Sequence, residues 1–131
     1  MTDVTWENMI EKLRLVVPEL EERHRRELAW WGEEEPGRHP FYHVVLNEYL
    51  TGLLDAGNNE SILQRIFEFI EELATHTDQR IREVVTDTIL ERLVDKKEWI
   101  VAARPYMGPE TLQMSGEVER FWVDVDARYG S

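Results

Sequence analysis

The stretch ESILQRIFEFIEELA, residues 60–74, decides the fold because its apolar side chains recur at the spacing of an amphipathic helix. Phe69 lies at the edge of the apolar stripe, so the stripe is wide and predicts a helix in the centre of the core. The opposite face is predominantly acidic and carries Glu60, Gln64, Glu68, Glu71 and Glu72. The apolar stripe itself consists of Ile62, Leu63, Ile66, Phe67, Ile70, Leu73 and Ala74.

The same periodicity continues on both sides of this helix and predicts an all-α fold without a convincing strand pair. We expect six to seven antiparallel helices in stacked helical hairpins, as a short α-solenoid or an irregular bundle. Thr5 and Asp78 are predicted N-caps, and Pro40 is predicted to open a helix after the charged loop 33–39. The predicted helices cover residues 6–17, 18–32, 40–55, 60–74, 79–93 and 96–103, and a last helix includes residues 118–129.

The composition is that of one folded domain, residues 1–131, rather than of a disordered acidic tail, because 42% of the residues are hydrophobic. The absence of cysteine excludes a disulfide framework and a thiolate zinc site, and it fits a reducing cytoplasm. No apolar run approaches the roughly 20 residues that span a bilayer. Residues 1–4 lack the basic and apolar regions of a signal peptide. We therefore expect a cytoplasmic protein.

The strongest functional signal is charge, because 27 Asp and Glu residues face 15 Lys and Arg residues and the net charge is −12. Such a surface attracts cationic proteins and repels nucleic acid and anionic membranes. We therefore expect a cationic protein partner, and neither nucleic acid nor a membrane. The sequence contains no nucleotide-binding glycine loop and no nucleophile motif, so we expect no cofactor and no enzyme.

The histidines give the remaining candidate chemistry. His39 and His43 are four residues apart and could bind a metal with Glu33 to Glu35, although Pro40 argues against one helix face. The alternative places His39 in a loop or at an N-cap and His43 on the surface. His24 is either a buried base or a structural histidine on an apolar stripe, and His76 is read as a structural cation at a helix C-terminus.

Arg92 projects close to the apolar line of its helix, where an unpaired cation is costly to bury. It either binds an anion in a groove or forms an ion pair with a carboxylate of a neighbouring helix, such as Glu48 or Glu68. Because the chain is so acidic, the ion pair is the preferred interpretation.

The predicted partner-binding residues combine one aromatic side chain with surplus carboxylates. Trp30 cannot share a helix face with Trp31, so it is either an exposed interface anchor beside acidic residues or packs under the following loop. Glu68 and Glu72 repeat at i and i+4, an unfavourable pairing. It either marks a surface where a cationic partner relieves the repulsion or is an ordinary solvated helix face. The predicted contacts are Trp30, Glu33, Glu34, Glu35, Asp55, Glu68, Glu71 and Glu72.

Three segments resemble a family of small all-helical bacterial domains of unknown function whose members look like toxin-immunity proteins. The segments are residues 67–72 (FEFIEE), residues 83–93 (EVVTDTILERL) and residues 106–111 (YMGPET), of which the Met-Gly-Pro-Glu-Thr turn is the most distinctive. The resemblance covers the middle and C-terminal half and implies no catalytic residues. It implies an immunity protein that neutralises a bacterial toxin domain by stoichiometric inhibition. The alternatives are a helical adaptor that binds a peptide in a groove, and a metal-dependent enzyme using His39 and His43.

Overall fold

A computed structural model describes residues 4–22, 25–26 and 37–129 of the 131-residue chain. These residues form an all-α fold with six helices and no strand, which confirms the predicted fold class. Within these ranges no helix combines the length and hydropathy that crossing a membrane requires. The helices are α1 (Met9–Val16), α2 (Arg38–Phe41, Tyr42–Leu46 and Asn47–Ala56), α3 (Glu60–Ala74), α4 (Gln79–Val84, Val85–Leu90 and Glu91–Leu93), α5 (Lys97–Ala103) and α6 (Pro109–Tyr129).

Helix α3 lies in the centre of the core, as its wide apolar stripe predicts. Phe69 at the edge of the stripe is 3% exposed, and Phe67 is fully buried and stacks on Tyr106 with ring centroids 6.2 Å apart. Burial of one such aromatic side chain contributes about 2–3 kcal/mol to folding. Because α3 contacts α1, α4 and α6, its packing connects the two ends of the described chain.

The helix contacts are those of an irregular bundle. Helix α2 contacts α1, α4 and α5, while α6 returns to contact both α3 and α4. In a solenoid each repeat contacts only its neighbours along the chain, so the contact of α3 with both α1 and α6 favours the bundle. Two of the helices contain a π-helical turn, at Tyr42–Leu46 in α2 and Val85–Leu90 in α4, and these two segments contact each other.

The helix ends follow local capping rules. Helix α1 begins at Met9 with Asn8 at the N-cap position, so the prediction of Thr5 as the N-cap is wrong. Thr5 instead exchanges hydrogen bonds with Asn8, and its hydroxyl accepts from the Asn8 N–H at 3.2 Å. Asp78 caps α4 as predicted, because its carboxylate accepts from the Arg80 N–H at 2.9 Å. Gly57 ends α2 with a φ of 71°, a left-handed conformation that favours glycine.

The start of α2 corrects the prediction for Pro40. The helix begins at Arg38 rather than at the proline, and the Phe41 N–H donates to the Gly37 carbonyl at 2.9 Å. Proline is tolerated in a first helical turn because its missing N–H has no intrahelical partner there. The expectation that Pro40 excludes His39 from the helix is therefore wrong.

The predicted second helix is described only in part. Pro18–Leu20 forms a 3₁₀ turn, and residues 21–22 and 25–26 are helical. His24, Trp30 and Trp31, together with the charged residues 33–35, lie outside the described residues.

Tyr42 connects α2 to α1 inside the core through a hydrogen bond. Its side chain is fully buried and its hydroxyl donates to the Met9 carbonyl at 2.8 Å. Burial raises the pKa of Tyr42 well above its ordinary value of 10.0, so the phenol stays protonated and remains a donor.

Arg65 of α3 binds the C-terminal end of α1 and the segment that follows it, and this contact gives a pH-dependent prediction. Its guanidinium donates to Glu19 at 2.8 Å and to the Val16 carbonyl at 2.7 Å. The hydrogen bond from Arg65 lowers the pKa of Glu19 below its ordinary value of 4.5. The stabilisation is therefore fully present above about pH 4.5 and is lost as the pH falls through the lowered pKa.

We expect Glu19→Gln to lower the melting temperature by about 1–2 °C at neutral pH, because partly exposed ion pairs contribute little. The difference between variant and wild type should shrink as the pH falls from about 5 to about 3. Thermal unfolding followed by circular dichroism over this pH series measures the effect. A difference that stays constant down to the lowest pH would contradict the assignment.

Candidate functional site

The exposed face of α3 carries an acidic stripe, which we define as Glu60, Gln64, Glu68 and Glu72. All four side chains are exposed and follow each other at intervals of four residues, so they share one face of the helix. Among the described residues, neither Glu68 nor Glu72 forms an ion pair. Two of the predicted contact residues therefore lie together on an open acidic surface.

The cations of the described chain are largely engaged within the molecule. Arg14 donates to Glu21 at 3.0 Å and Arg25 to Glu22 at 2.9 Å, and each such pair neutralises one carboxylate. Because acidic residues are in large excess, the pairs leave a net negative surface. The other pairs in the described part are Arg65–Glu19, Arg80–Asp78, Arg92–Asp95, Lys96–Asp55 and Arg104–Glu119.

Glu71 lies beside the acidic stripe but is engaged in capping a helix. Its carboxylate accepts from the Glu110 N–H at 3.0 Å, the Thr111 N–H at 2.9 Å and the Thr111 hydroxyl at 2.7 Å. These bonds satisfy free N–H groups at the start of α6, where the helix dipole favours a negative charge. A Cβ added at Gly108 would lie 2.5 Å from Glu71 Cδ, so a larger residue there would have to displace the Glu71 carboxylate.

Asp55 is also engaged within the molecule. Its Oδ1 accepts from the Trp99 indole N–H at 2.9 Å and lies 4.0 Å from Lys96 Nζ. The same Trp99 ring lies 5.1 Å from the Arg92 guanidinium, a cation–π distance. Asp55 therefore lies near Lys96 and Arg92, which partly compensate its negative charge.

Arg92 does not pair with a neighbouring helix as predicted. It binds Asp95, three residues further along the chain, at 3.1 Å. The prediction of an ion pair is correct, but the proposed partners Glu48 and Glu68 are wrong. The half-buried position is stabilised by the Trp99 ring, which the sequence periodicity does not identify.

His76 has the predicted structural role near the C-terminal end of α3. Its Nδ1 accepts from the Asp78 N–H at 2.9 Å, and its Nε2 donates to the Val4 carbonyl at 2.7 Å. The imidazole connects the loop after α3 to the segment before α1.

His39 and His43 do share one side of α2. Together with Pro40, Asp87 and Thr88 they line a depression of about 390 Å³. His39 Nδ1 lies 2.6 Å from Thr88 Oγ1, while His43 is exposed as the surface interpretation predicts. In the described part of the chain, no group of three or more His, Asp or Glu side chains is placed to hold a metal ion; Glu33 to Glu35 lie outside it.

Asn47 bridges the two helices that contain π-helical turns. It is 1% exposed, and its Nδ2 donates to the Thr88 carbonyl at 3.0 Å. Its Oδ1 is buried without a hydrogen-bond partner among the described residues. The sequence offered no signal for this contact, because Asn47 lies between Leu46 and Glu48 with no turn motif nearby.

The exposed side of α6 is an unexpected feature. Phe121, Trp122 and Val123 are 56%, 40% and 66% exposed, although periodicity places Phe121 and Trp122 on the apolar side with Val118. Three consecutive large apolar residues span most of a helix circumference, so one of them must face solvent. The run of three consecutive apolar residues is therefore the sequence signal that indicates an exposed apolar side chain on α6. We call these three residues the aromatic ridge.

Fold and surfaces together define a small acidic all-α domain with open carboxylates on one helix and exposed aromatic residues on another. The chain belongs to the family described as a domain of unknown function, DUF7674, which matches residues 10–123. The match includes the acidic stripe, the Glu71 cap and the aromatic ridge. No curated protein and no solved structure matches the chain.

Proposed function

We propose that this protein is a cytoplasmic immunity protein that binds a cationic toxin domain through its acidic surface. It would neutralise the toxin by stoichiometric inhibition rather than by catalysis. The observation that carries the proposal is the acidic stripe on α3, where Glu68 and Glu72 are exposed and form no ion pair within the described chain. The resemblance of residues 67–72, 83–93 and 106–111 to immunity proteins supports the same function.

The acidic surface suits rapid capture of a positively charged protein. Complementary charge steers the encounter and raises association rates, an effect that salt screens. The repulsion between Glu68 and Glu72 at i and i+4 would be relieved by a cation of the partner. A rigid core under α3 holds these carboxylates in place, because the buried face of the same helix contacts three other helices.

The eight predicted contact residues do not contribute equally to this proposal. Glu68 and Glu72 are its main residues, and Trp30 with Glu33 to Glu35 remain predicted contacts outside the described residues. Asp55 and Glu71 remain predicted contacts too, but their carboxylates already accept internal hydrogen bonds. Substituting these two would perturb folding as well as binding, so the test uses Glu68 and Glu72.

A survival assay tests the proposal with the polypeptide encoded by the adjacent upstream reading frame, expressed as its C-terminal domain. We expect cells producing that domain to survive when this protein is co-expressed, and survival to fall at least tenfold with Glu68→Gln/Glu72→Gln. The matched control is Glu11→Gln/Glu98→Gln, which removes the same charge from exposed sites on α1 and α5. Full protection by the α3 variant would contradict the proposal.

The alternative function, a helical adaptor that binds a peptide, is favoured by one observation. The aromatic ridge on α6 exposes contiguous apolar surface, which marks interaction sites. An adaptor would bind its peptide without regard to toxin activity. In the survival assay, an adaptor would give no protection.

A further inference from the structure

The aromatic ridge is a concentrated apolar surface. Phe121 and Trp122 pack edge to face with ring centroids 5.3 Å apart, and Val123 follows directly. Leu15 and Val101, by contrast, are exposed on α1 and α5. Scattered exposed apolar residues are ordinary, whereas contiguous ones mark docking surfaces.

A groove of about 350 Å³ runs along one side of the ridge, between α6 and the π-helical segment of α4. Its floor is apolar, since Met114 and Val118 line it and are 8% and 9% exposed. Phe121 also lines the groove. Met114, Val118 and Phe121 are spaced i, i+4 and i+7, so they present a stripe about 10 Å long.

The rim of this groove is acidic on both sides. Asp87 and Glu91 come from α4, and Glu117 comes from α6. None of the three forms an ion pair among the described residues, although the neutral Trp122 indole donates to Glu91 at 2.8 Å. We call this surface, lined by Asp87, Glu91, Met114, Glu117, Val118 and Phe121, the acidic groove.

A second groove of about 420 Å³ also borders the ridge and has a different charge. It is lined by Trp122 and Val123 together with Lys97 and Arg104, and Arg104 is paired with Glu119. A cationic segment would be repelled by Lys97 there but attracted by the rim of the acidic groove. The two grooves therefore differ in the partner that they would accept.

We propose that the acidic groove binds an amphipathic helix of a partner protein. Apolar side chains of that helix, spaced i, i+3/i+4 and i+7, would pack on Met114, Val118 and Phe121. Flanking Lys or Arg residues would pair with Asp87, Glu91 and Glu117. The inference rests on the proposed function, because it names the kind of segment by which the cationic partner binds.

The probe is a fluorescein-labelled peptide of 14 residues, two repeats of LKKLLKL, which forms a cationic amphipathic helix. We expect it to bind in fluorescence anisotropy at about 50 mM NaCl, where surface charges are weakly screened. A peptide with Glu in place of Lys should not bind, and a Leu/Lys peptide of scrambled order should bind at least tenfold more weakly. Equal binding of the scrambled peptide would overturn the proposal, because it would indicate charge attraction without a groove.

Four variants locate the binding site. Phe121→Ser should weaken peptide binding about tenfold, as expected for a central aromatic contact. The double variant Asp87→Asn/Glu117→Gln should weaken peptide binding about fivefold, because it removes two charges from the rim. The controls are Val123→Ser, which changes the other side of the ridge, and Glu68→Gln/Glu72→Gln, which removes equal charge from α3. Both controls should stay within about twofold of wild type. All substituted side chains are exposed, so the fold should be retained.

Three results would overturn the groove assignment without overturning the proposed function. If only Glu68→Gln/Glu72→Gln weakens binding, the peptide binds the acidic stripe and the groove is not its site. If sedimentation equilibrium of the protein alone shows a dimer that Phe121→Ser abolishes, a second copy covers the ridge instead of a partner helix. Loss of toxin protection by the α3 variant, with groove variants unaffected, would support the function but not the groove.

Discussion

Replacing Glu71 by Ala is expected to lower the free energy of unfolding by about 3 kcal/mol and the melting temperature by about 10 °C. The carboxylate accepts two N–H groups and one hydroxyl at the start of α6, and without it these donors lose their partner. Hydrogen bonds to a charged acceptor are stronger than those between neutral groups. The bonds to the Glu71 carboxylate join α3 to α6. Urea unfolding followed by circular dichroism measures the loss.

The neighbouring residue provides a matched control for that experiment. Glu72 is exposed and forms no ion pair among the described residues, so Glu72→Ala should change stability by less than about 0.5 kcal/mol. Gly108→Ala should cost about 2 kcal/mol, because the added methyl group must displace the Glu71 carboxylate from the cap. Equal stability of the Glu71→Ala and Glu72→Ala variants would show that the cap does not hold α6.

Replacing Asn47 by Asp is expected to destabilise the fold by about 3–5 kcal/mol at neutral pH. The two side chains have the same shape, but the carboxylate loses the donor to the Thr88 carbonyl and buries an uncompensated charge. Burial would raise the pKa of the introduced Asp in the folded state. The destabilisation should therefore be smallest near pH 4 and should grow as the pH rises above about 4.

Asn58→Asp is the control for this substitution, because Asn58 is exposed in the turn after α2. It should change stability by less than about 0.5 kcal/mol at any pH between about 4 and 8. Unfolding free energies of both variants across this pH range separate a buried charge from a general effect of added negative charge. If Asn47→Asp lowered the free energy of unfolding by the same amount at every pH, the assignment of a dry site without a compensating charge would be contradicted.

The parts of the fold that depend on local periodicity were predictable from the sequence. The stripe of α3 and the Asp78 cap need only neighbouring residues, and both were correctly placed. Contacts between distant residues were not predictable in this way. The bond from Asn47 to Thr88 and the approach of Gly108 to Glu71 join elements about 40 residues apart, and no local pattern specifies such a pair.

The same distinction applies to the candidate site. The sequence shows that carboxylates are in excess and which helix face carries them, but not which carboxylate has an internal partner. Glu68, Glu71 and Glu72 look alike in the sequence, yet only Glu71 reaches the start of α6. The aromatic ridge was missed because an apolar stripe predicts burial, and whether a neighbour covers it depends on the packing of α6 against α4.

The association rate with the toxin domain tests the central proposal most directly. Stopped-flow mixing of this protein with the C-terminal domain encoded by the upstream reading frame would be followed from about 50 to about 500 mM NaCl. Capture through surplus carboxylates predicts an association rate constant that falls at least tenfold over this range. A rate constant that stays constant across the series would contradict capture by the acidic surface.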